Sequence, residues 1–398
     1  MTRLPGGIWI YSMKHSTIII AIFIALLVYG LLNFYYIKRT SQALHGLGAF
    51  QSVIISILIA FALAFPLGRI AEIFVHNAAT HFLVYAGSLY LAVLFYAVLF
   101  VALADCVRLA DRLLHFLPGE FLDNPYPFLR VVALSLAAAL TVMLFVGHFL
   151  ATHPRLHTLD LTVPKKSSVS PGLTIAAVSD IHFGTVMGET HMKRIVRLVK
   201  QARPDMVLLV GDVFDEDVSD AGRVSIVRLL KDLRCPLGVF AVTGNHEYYS
   251  GLAKAVSVLG EAGVTVLQDS AVRINNAVTL IGRKDLSALR MGNGRKTLRE
   301  LLATALCGLP IILMDHQPFH LEEAETNGID VQLSGHTHHG QLFPLNVLYR
   351  WIYETSWGYV RKGKTQIVVS CGAGTWGPPV RTNSRAEVLK IRVKFAGE

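Results

Sequence analysis

The sequence predicts a bundle of transmembrane helices followed by an α/β domain with layered sheets. Three observations carry this expectation. The chain is 53% hydrophobic and 16% charged, against about a quarter charged in an ordinary globular protein, and the apolar excess sits in its first 150 residues. From Gly172 onward, short apolar runs alternate with amphipathic stretches, as strands alternate with helices in layered folds. The polar residues of this second part fall where the apolar runs end.

In chain order, Ser16 to Tyr36, Ala49 to Leu67, Phe82 to Ala104 and Arg130 to Leu150 each supply the apolar length of about 20 residues that a membrane-crossing helix needs. Tyrosines near their ends, such as Tyr35, Tyr36 and Tyr126, fit an interfacial belt. The first run is too long for a cleaved signal peptide, and three more follow. An even number of spans places the N-terminus and the α/β domain on one side. Arg3, Lys14, Arg69, Arg155, Lys165 and Lys166 lie on that side and Lys38, Arg39, Arg108, Arg112 and Arg130 on the other, so basic residues set no orientation. His76, His81 and His148 lie at span ends, and no broken pair of spans suggests a transporter. The expected role of residues 1–150 is an anchor.

Residues 151–171 read as a basic linker, with His153-Pro154 and Val163-Pro164-Lys165-Lys166-Ser167-Ser168, extended near lipid headgroups. Residues 172–398 form the α/β domain. Expected strands are Leu173 to Ser179, Met206 to Val210, Val239 to Thr243, Val278 to Ile281, Ile311 to Met314, Val331 to Ser334, Gln366 to Ser370 and Val388 to Val393. Expected helices are Glu189 to Gln201, Val224 to Leu233, Leu252 to Ala262 and one around Thr297 to Leu306. Ligands in such domains bind in the loops after strand C-termini. Cys106, Cys235, Cys307 and Cys371 are too far apart for a metal-binding or disulfide framework and read as small buried thiols. The net charge of +9 fits attraction to anionic lipid or phosphate, and no nucleic-acid partner is expected.

The strand ends carry a coherent set of groups. They are Asp180-Ile181-His182, Gly211-Asp212, Gly244-Asn245-His246-Glu247, Asp315-His316 and Gly335-His336-Thr337-His338. Each alone can be a turn residue or a helix cap; five together in this order are not explained as turns. In the last motif, Gly335 is expected to permit the tight bend that two inward histidines require. The donors are oxygen and nitrogen without thiolate, which suits Mn, Fe, Zn or similar ions. They suffice for two divalent ions, which lie roughly 3.5–4 Å apart in such sites and need a shared anion between them. Asp212 is the natural bridge.

In this order the motifs resemble the calcineurin-like metallophosphoesterase superfamily, over about residues 172 to 398. Gly340-Gln341, Ser370-Cys371-Gly372-Ala373-Gly374, Pro378 and Arg381 resemble its membrane-associated bacterial phosphodiesterase/phosphatase branch. The resemblance implies a four-layer α/β/β/α sandwich. It implies that Asp180, His182, Asp212 and His338 hold one metal, and Asp212, Asn245, His316 and His336 the other. It implies hydrolysis of a phosphate mono- or diester by a metal-bridging hydroxide, with catalytic residues Asp212 and His246, the latter contacting the phosphoryl group. An integral protein of a bacterial inner membrane is implied, with an extracytoplasmic lean that no secretion signal supports. Asp315 is expected outside the ligand set, and so is His339, because adjacent side chains point apart.

Two stretches bear on the substrate. The basic segment Arg283-Lys284 with Arg290 to Arg299 can grip an anionic headgroup or be a solvated loop. The aromatic run from Phe343 to Tyr359, with Tyr349, Trp351, Tyr353 and Trp357, fits a membrane-facing rim or ordinary packing. On the rim reading a lipid-linked phosphate is the substrate class. The alternatives are a hydrolase of soluble nucleotides held at the membrane and a metal-dependent scaffold. The complete ligand set argues against the scaffold. Oligomeric state is not legible.

Overall fold

The computed structural model describes residues 2–3, 9–10, 15–116, 125–165, 167, 171–215, 220–303 and 308–396. Lys14, Lys166, Ser168 and Cys307 lie outside these. The chain divides into two compact units, Met13–His148 and Phe149–Glu398, the latter together with Met1–Ser12.

The first unit holds four long apolar helices: α1 (His15–Ala43), α2 (Ala49–Glu72), α3 (Ala78–Leu114) and α4, which begins at Pro125 and ends at Thr152. Each runs beyond the apolar stretch that predicts it, because capping and polar ends extend the helix past the hydrocarbon length. Asn77 caps α3 by accepting from the Ala79 and Thr80 amides at 2.9 and 3.0 Å. Pro125 starts α4, where a missing N–H removes no helix bond. Small residues let α2 and α3 pack closely. A Cβ on Gly87 would lie 2.4 Å from the Phe65 amide nitrogen, and one on Gly68 2.9 Å from Val84. Cys106, expected as buried, is exposed on α3, whereas Cys371 is buried.

The second unit opens with a correction. Residues 155–163, expected within a linker, form strand β1 (Arg155–Val163), paired in parallel with the last strand along its whole length. The cause is a period-two pattern: Leu159, Leu161 and Val163 alternate with Asp160 and Thr162, and the strand's inner face is covered. On the outer face Asp160 pairs with Arg392 of the neighbouring strand at 2.6 Å.

There follow β2 (Gly172–Val178), α5 (Glu189–Ala202), β3 (Met206–Val210), α6 (Asp220–Lys231), β4 (Val239–Val242), α7 (Asn245–Ser250), α8 (Leu252–Glu261), β5 (Thr265–Val266), β6 (Ser270–Ile274), β7 (Val278–Gly282), α9 (Leu298–Ala303), β8 (Ile311–Met314), α10 (Leu321–Thr326), β9 (Val331–Ser334), α11 (Leu345–Ile352), β10 (Gly358–Lys362), β11 (Thr365–Val369) and β12 (Glu387–Phe395). One six-stranded sheet has the order β1-β12-β2-β3-β4-β5, the other β10-β11-β9-β8-β7-β6. β2 to β5 run parallel, as do β7, β8, β9 and β11.

The sheets face each other through Ile175, Leu208, Val210, Leu280, Met314 and Leu333. Helices α5, α6 and α8 cover the first sheet through Ile195, Val199, Ile226 and Leu259. Leu298, Leu301 and Ala324 of α9 and α10 cover the second. The result is helix, sheet, sheet, helix in four layers. Each large side chain in these seams contributes about 1.5–3 kcal/mol by burial. The layering aligns the C-terminal ends of β2, β3, β4, β8 and β9 at one edge.

Candidate metal centre

All eight residues expected in the site come together at that edge. Asp180 and His182 follow β2, Asp212 follows β3, Asn245 and His246 open α7 after β4, His316 follows β8, and His336 and His338 follow β9. Ligand atoms of Asp180, His182 and His338 lie within 4.8 Å of one another, and so do those of Asp212, His316 and His336, and of His182, Asp212 and His246. The His182 and His338 Nε2 atoms are 3.0 Å apart. His316 Nε2 is 3.1 Å from Asp212 Oδ2. Asp212 and His182 each belong to two of these groups, as the expected bridge and its neighbour. A further group, Glu72, His76 and His81 in the helical unit, has its carboxylate paired with Arg69 at 3.0 Å.

The backbone is bent to achieve this. Asp180, His182, Asp212, His336 and His338 all have φ between +48° and +70°, a region L-residues enter at a cost of about 1–3 kcal/mol and keep only where surroundings enforce it. The bend in the last motif is therefore taken by His336 and His338, not by Gly335, whose φ is not positive. Gly335 is needed for space: a Cβ there would lie 2.4 Å from Asp180 Oδ2. Gly244 serves Asp212 in the same way, with a Cβ position 2.2 Å from Oδ1. The His336 amide donates to Asp180 Oδ1 at 2.9 Å and the His246 amide to Asp212 Oδ1 at 2.9 Å. Each carboxylate thus keeps its other oxygen for the interior of the site.

The donor set fits divalent ions. Asp180 Oδ2 and Asn245 Oδ1 are buried without a hydrogen-bond partner, and buried His316 Nε2 faces Asp212 Oδ2 at 3.1 Å. A buried polar atom left unpaired costs about 1–3 kcal/mol, and two such oxygens at the strand-end edge are an arrangement a cation resolves. Protonation states favour the same reading. Burial would raise the Asp212 carboxyl, but His316 and His182 outweigh it and hold it well below the usual carboxylate range. Burial and the charge of His316 push His336 down to about 4. Burial, His182 and Arg381 keep His338 well below its ordinary value. The opposite holds for His316: burial would lower it, but Asp212 raises it well above.

Three supporting residues, Asp215, Glu247 and Arg381, had no role assigned from the sequence. Asp215 accepts from His182 Nδ1 at 3.2 Å and faces His246 Nδ1 at 3.3 Å. The first contact fixes the His182 tautomer so that Nε2 offers its lone pair inward. Burial alone would lower His246, but the Asp215 hydrogen bond and the Asp212 and Asp215 charges push it up to about 9. The Glu247 carboxylate accepts from the Asp212, Phe214 and Gly244 amides, which clamps the loops after β3 and β4 together. Arg381, with 0% exposure, donates to the Cys371 and Gly374 carbonyls at 2.6 Å and lies 3.2 Å from His338 Nδ1. His316 Nδ1 bonds the Val210 carbonyl at 2.7 Å. The sequence signals were present for Asp215, three residues after Asp212, and for Glu247 inside Gly-Asn-His-Glu.

Asp315 lies outside the ligand groups, buried against Arg283 at 3.2 Å and Arg295 at 2.6 Å. This corrects the headgroup reading of the basic segment, since two of its arginines are held by Asp315. His339 turns away, with Nδ1 3.1 Å from Ser356 Oγ. The aromatic run divides. Tyr353 is buried with its ring 6.2 Å from His336, and Trp357 Nε1 donates to Glu387 at 2.9 Å. Trp351 of α11 is 84% exposed, beside exposed Leu348, Ile352 and Phe343. Trp376, 61% exposed, sits 6.3 Å from the His246 ring, and Tyr249 6.0 Å from it.

A family model described as Calcineurin-like phosphoesterase matches residues 173–340. A protein named "Uncharacterized metallophosphoesterase" from Aquifex aeolicus is 35% identical over 264 residues, covering 64% of this chain and 100% of the relative. A "Transmembrane protein with metallophosphoesterase domain" from Danio rerio is 33% identical over 279 residues, 67% of this chain and 63% of that one. A Campylobacter jejuni metallophosphoesterase is 28% identical over 386 residues, 94% of this chain and 97% of its own.

Proposed function

The chain belongs to the calcineurin-like metallophosphoesterase family, and from that premise we propose that it is a membrane-anchored two-metal hydrolase of phosphate mono- or diesters. The carrying observation is that Asp180 Oδ2 and Asn245 Oδ1 are buried and unpartnered on the edge that also carries ionised Asp212 and the low-pKa imidazoles of His336 and His338. Asp180, His182, Asp212 and His338 would hold one ion, and Asp212, Asn245, His316 and His336 the second. Two bound ions would activate water and neutralise the charge that develops on the phosphoryl oxygens.

The protein's own part is to orient and to supply a proton. Asp215 occupies His246 Nδ1, so Nε2 is the ring nitrogen free for substrate. His246 and His336 are the site histidines that are only partly buried, and His246 stands next to Trp376 and Tyr249. Its raised affinity for protons suits donation to the leaving oxygen as that P–O bond breaks and the P–O bond to water forms. Glu247 and Arg381 hold the loops that carry these groups.

The substrate class proposed is a lipid-linked phosphate ester. Its support is the exposure of Trp376, 6.3 Å from the His246 ring, and of Phe343, Leu348 and Trp351 on and just before α11. The test is hydrolysis of chromogenic phosphate mono- and diesters and of a phospholipid in mixed micelles by the full-length protein with Mn²⁺. Both activities should collapse in Asp212→Asn and His246→Ala. Trp351→Ala with Trp376→Ala should reduce micellar turnover more than soluble-ester turnover. Equal loss on both substrates would defeat the lipid-linked reading, and activity surviving Asp212→Asn would defeat the hydrolase reading.

A further inference from the structure

We propose that the helical unit contains a specific binding site for an anionic phospholipid, separate from the metal centre. Its helices border a half-open groove of about 830 Å³, within the roughly 300–1,000 Å³ range of sites for small molecules. Its walls are apolar, with Leu58 of α2, Phe100 and Val101 of α3, and Leu136 of α4. One end is charged. Arg39 of α1, Asp105 and Arg108 of α3 and Arg130 of α4 all line it.

Among the described residues the charges do not balance, and Asp105 is the one carboxylate lining this groove. It already pairs with Arg39 at 2.7 Å and Arg108 at 3.5 Å, and accepts from the Tyr35 hydroxyl at 2.6 Å. Arg130 gives one N–H to the His45 carbonyl at 2.8 Å, and its Nε is buried with no partner. Three guanidinium groups thus face one carboxylate whose acceptors are in use. A buried, unsatisfied guanidinium N–H asks for an anionic acceptor, and the planar fork of arginine suits phosphate.

The ends of the helices set the depth. Arg39 lies in the last turns of α1, Arg108 in the last turns of α3 and Arg130 in the first turns of α4. At 37 residues, α3 is about 55 Å long, well beyond the roughly 30 Å hydrocarbon core. The charged end therefore falls at headgroup level and the apolar body at acyl-chain level. A free phosphate would meet the arginines but leave the apolar body unfilled. A zwitterionic lipid would fill the body but bring its own cation to the arginines. An anionic phospholipid satisfies both ends, as basic pockets between membrane helices do for lipid headgroups.

The test uses the full-length protein in detergent, with bound lipid counted by native mass spectrometry. Phosphatidylglycerol, phosphatidylcholine and glycerol phosphate are added separately. Phosphatidylglycerol should bind more tightly than phosphatidylcholine, and glycerol phosphate should not bind. Arg108→Gln with Arg130→Gln should weaken phosphatidylglycerol by about thirtyfold, from roughly fivefold for each arginine at a membrane surface. Arg39 is left in place so that its pair with Asp105 survives. Leu136→Trp, which fills the body and keeps every charge, should also abolish the preference, so a poorly folded double variant leaves the test intact. Equal binding of the two lipids, a preference that survives Leu136→Trp, or equal binding of glycerol phosphate would each overturn the proposal.

Discussion

Replacing Gly244 with alanine should cost the metal centre at least one ion without unfolding the domain. The backbone at Gly244 has φ −98° and ψ −170°, ordinary values for alanine, so conformational strain is not the issue. The added Cβ would stand 2.2 Å from Asp212 Oδ1 and 2.7 Å from both the Asp212 amide nitrogen and His316 Nε2. Relief requires the Asp212 carboxylate to move by about 1 Å, given carbon contacts near 3.5 Å. Metal ligands tolerate about 0.2 Å, so the shift exceeds tolerance about fivefold. A misplacement of about 1 Å alone lowers turnover about a hundredfold, and the overpacking itself costs about 1–3 kcal/mol. Metal content by elemental analysis, turnover with saturating Mn²⁺, and unfolding in chelator form the assay. The expected result is a folded protein with at least one ion lost and turnover down by about a hundredfold or more. Full metal content with normal turnover would refute the steric argument.

Other perturbations test separate links. Asp215→Asn should lower turnover or metal affinity by about 10–100-fold, read from kcat and a Mn²⁺ titration, because both His182 and His246 lose the carboxylate that orients them; unchanged values would show that the contacts are incidental. Glu387 is buried, which alone would raise its carboxyl, but His157, the Cys371 amide and Trp357 outweigh burial and hold it low. A depressed folded value means stability that is full above the unfolded value of about 4.3 and lost as pH falls through the folded one. Glu387→Gln should therefore flatten the fall in unfolding temperature below about pH 5, and an equally steep fall would contradict this. Gly87→Val should destabilise the helical unit by about 1–3 kcal/mol, seen as a lower unfolding temperature in detergent, because its Cβ position overlaps the Phe65 backbone.

The strands that carry the site were legible because they are short, apolar and end in chemistry-bearing residues. Met206–Val210, Ile311–Met314 and Val331–Ser334 match their expected bounds. The candidate ligand residues stood out for the same reason, as each follows a strand end. What escaped depends on partners distant in sequence. β1 reads as a linker until β12, more than 200 residues later, provides its ladder. The basic segment reads as a solvated grip until Asp315 is seen to bind Arg283 and Arg295. Gly335 suggests a bend, yet its role is room for Asp180, which only the packed structure reveals. Asp215 and Glu247 were visible as letters, but their roles rest on hydrogen bonds formed after the loops meet.

The most direct measurement is a metal titration of the full-length protein. Chelator-stripped protein would be reloaded with Mn²⁺ in steps, with bound metal and phosphoester turnover followed together. The account predicts no turnover without metal, two ions bound per chain at saturation, and activity that reaches its maximum only as the second ion binds. Undiminished turnover in the stripped protein, or full activity with a single ion bound at saturation, would contradict it.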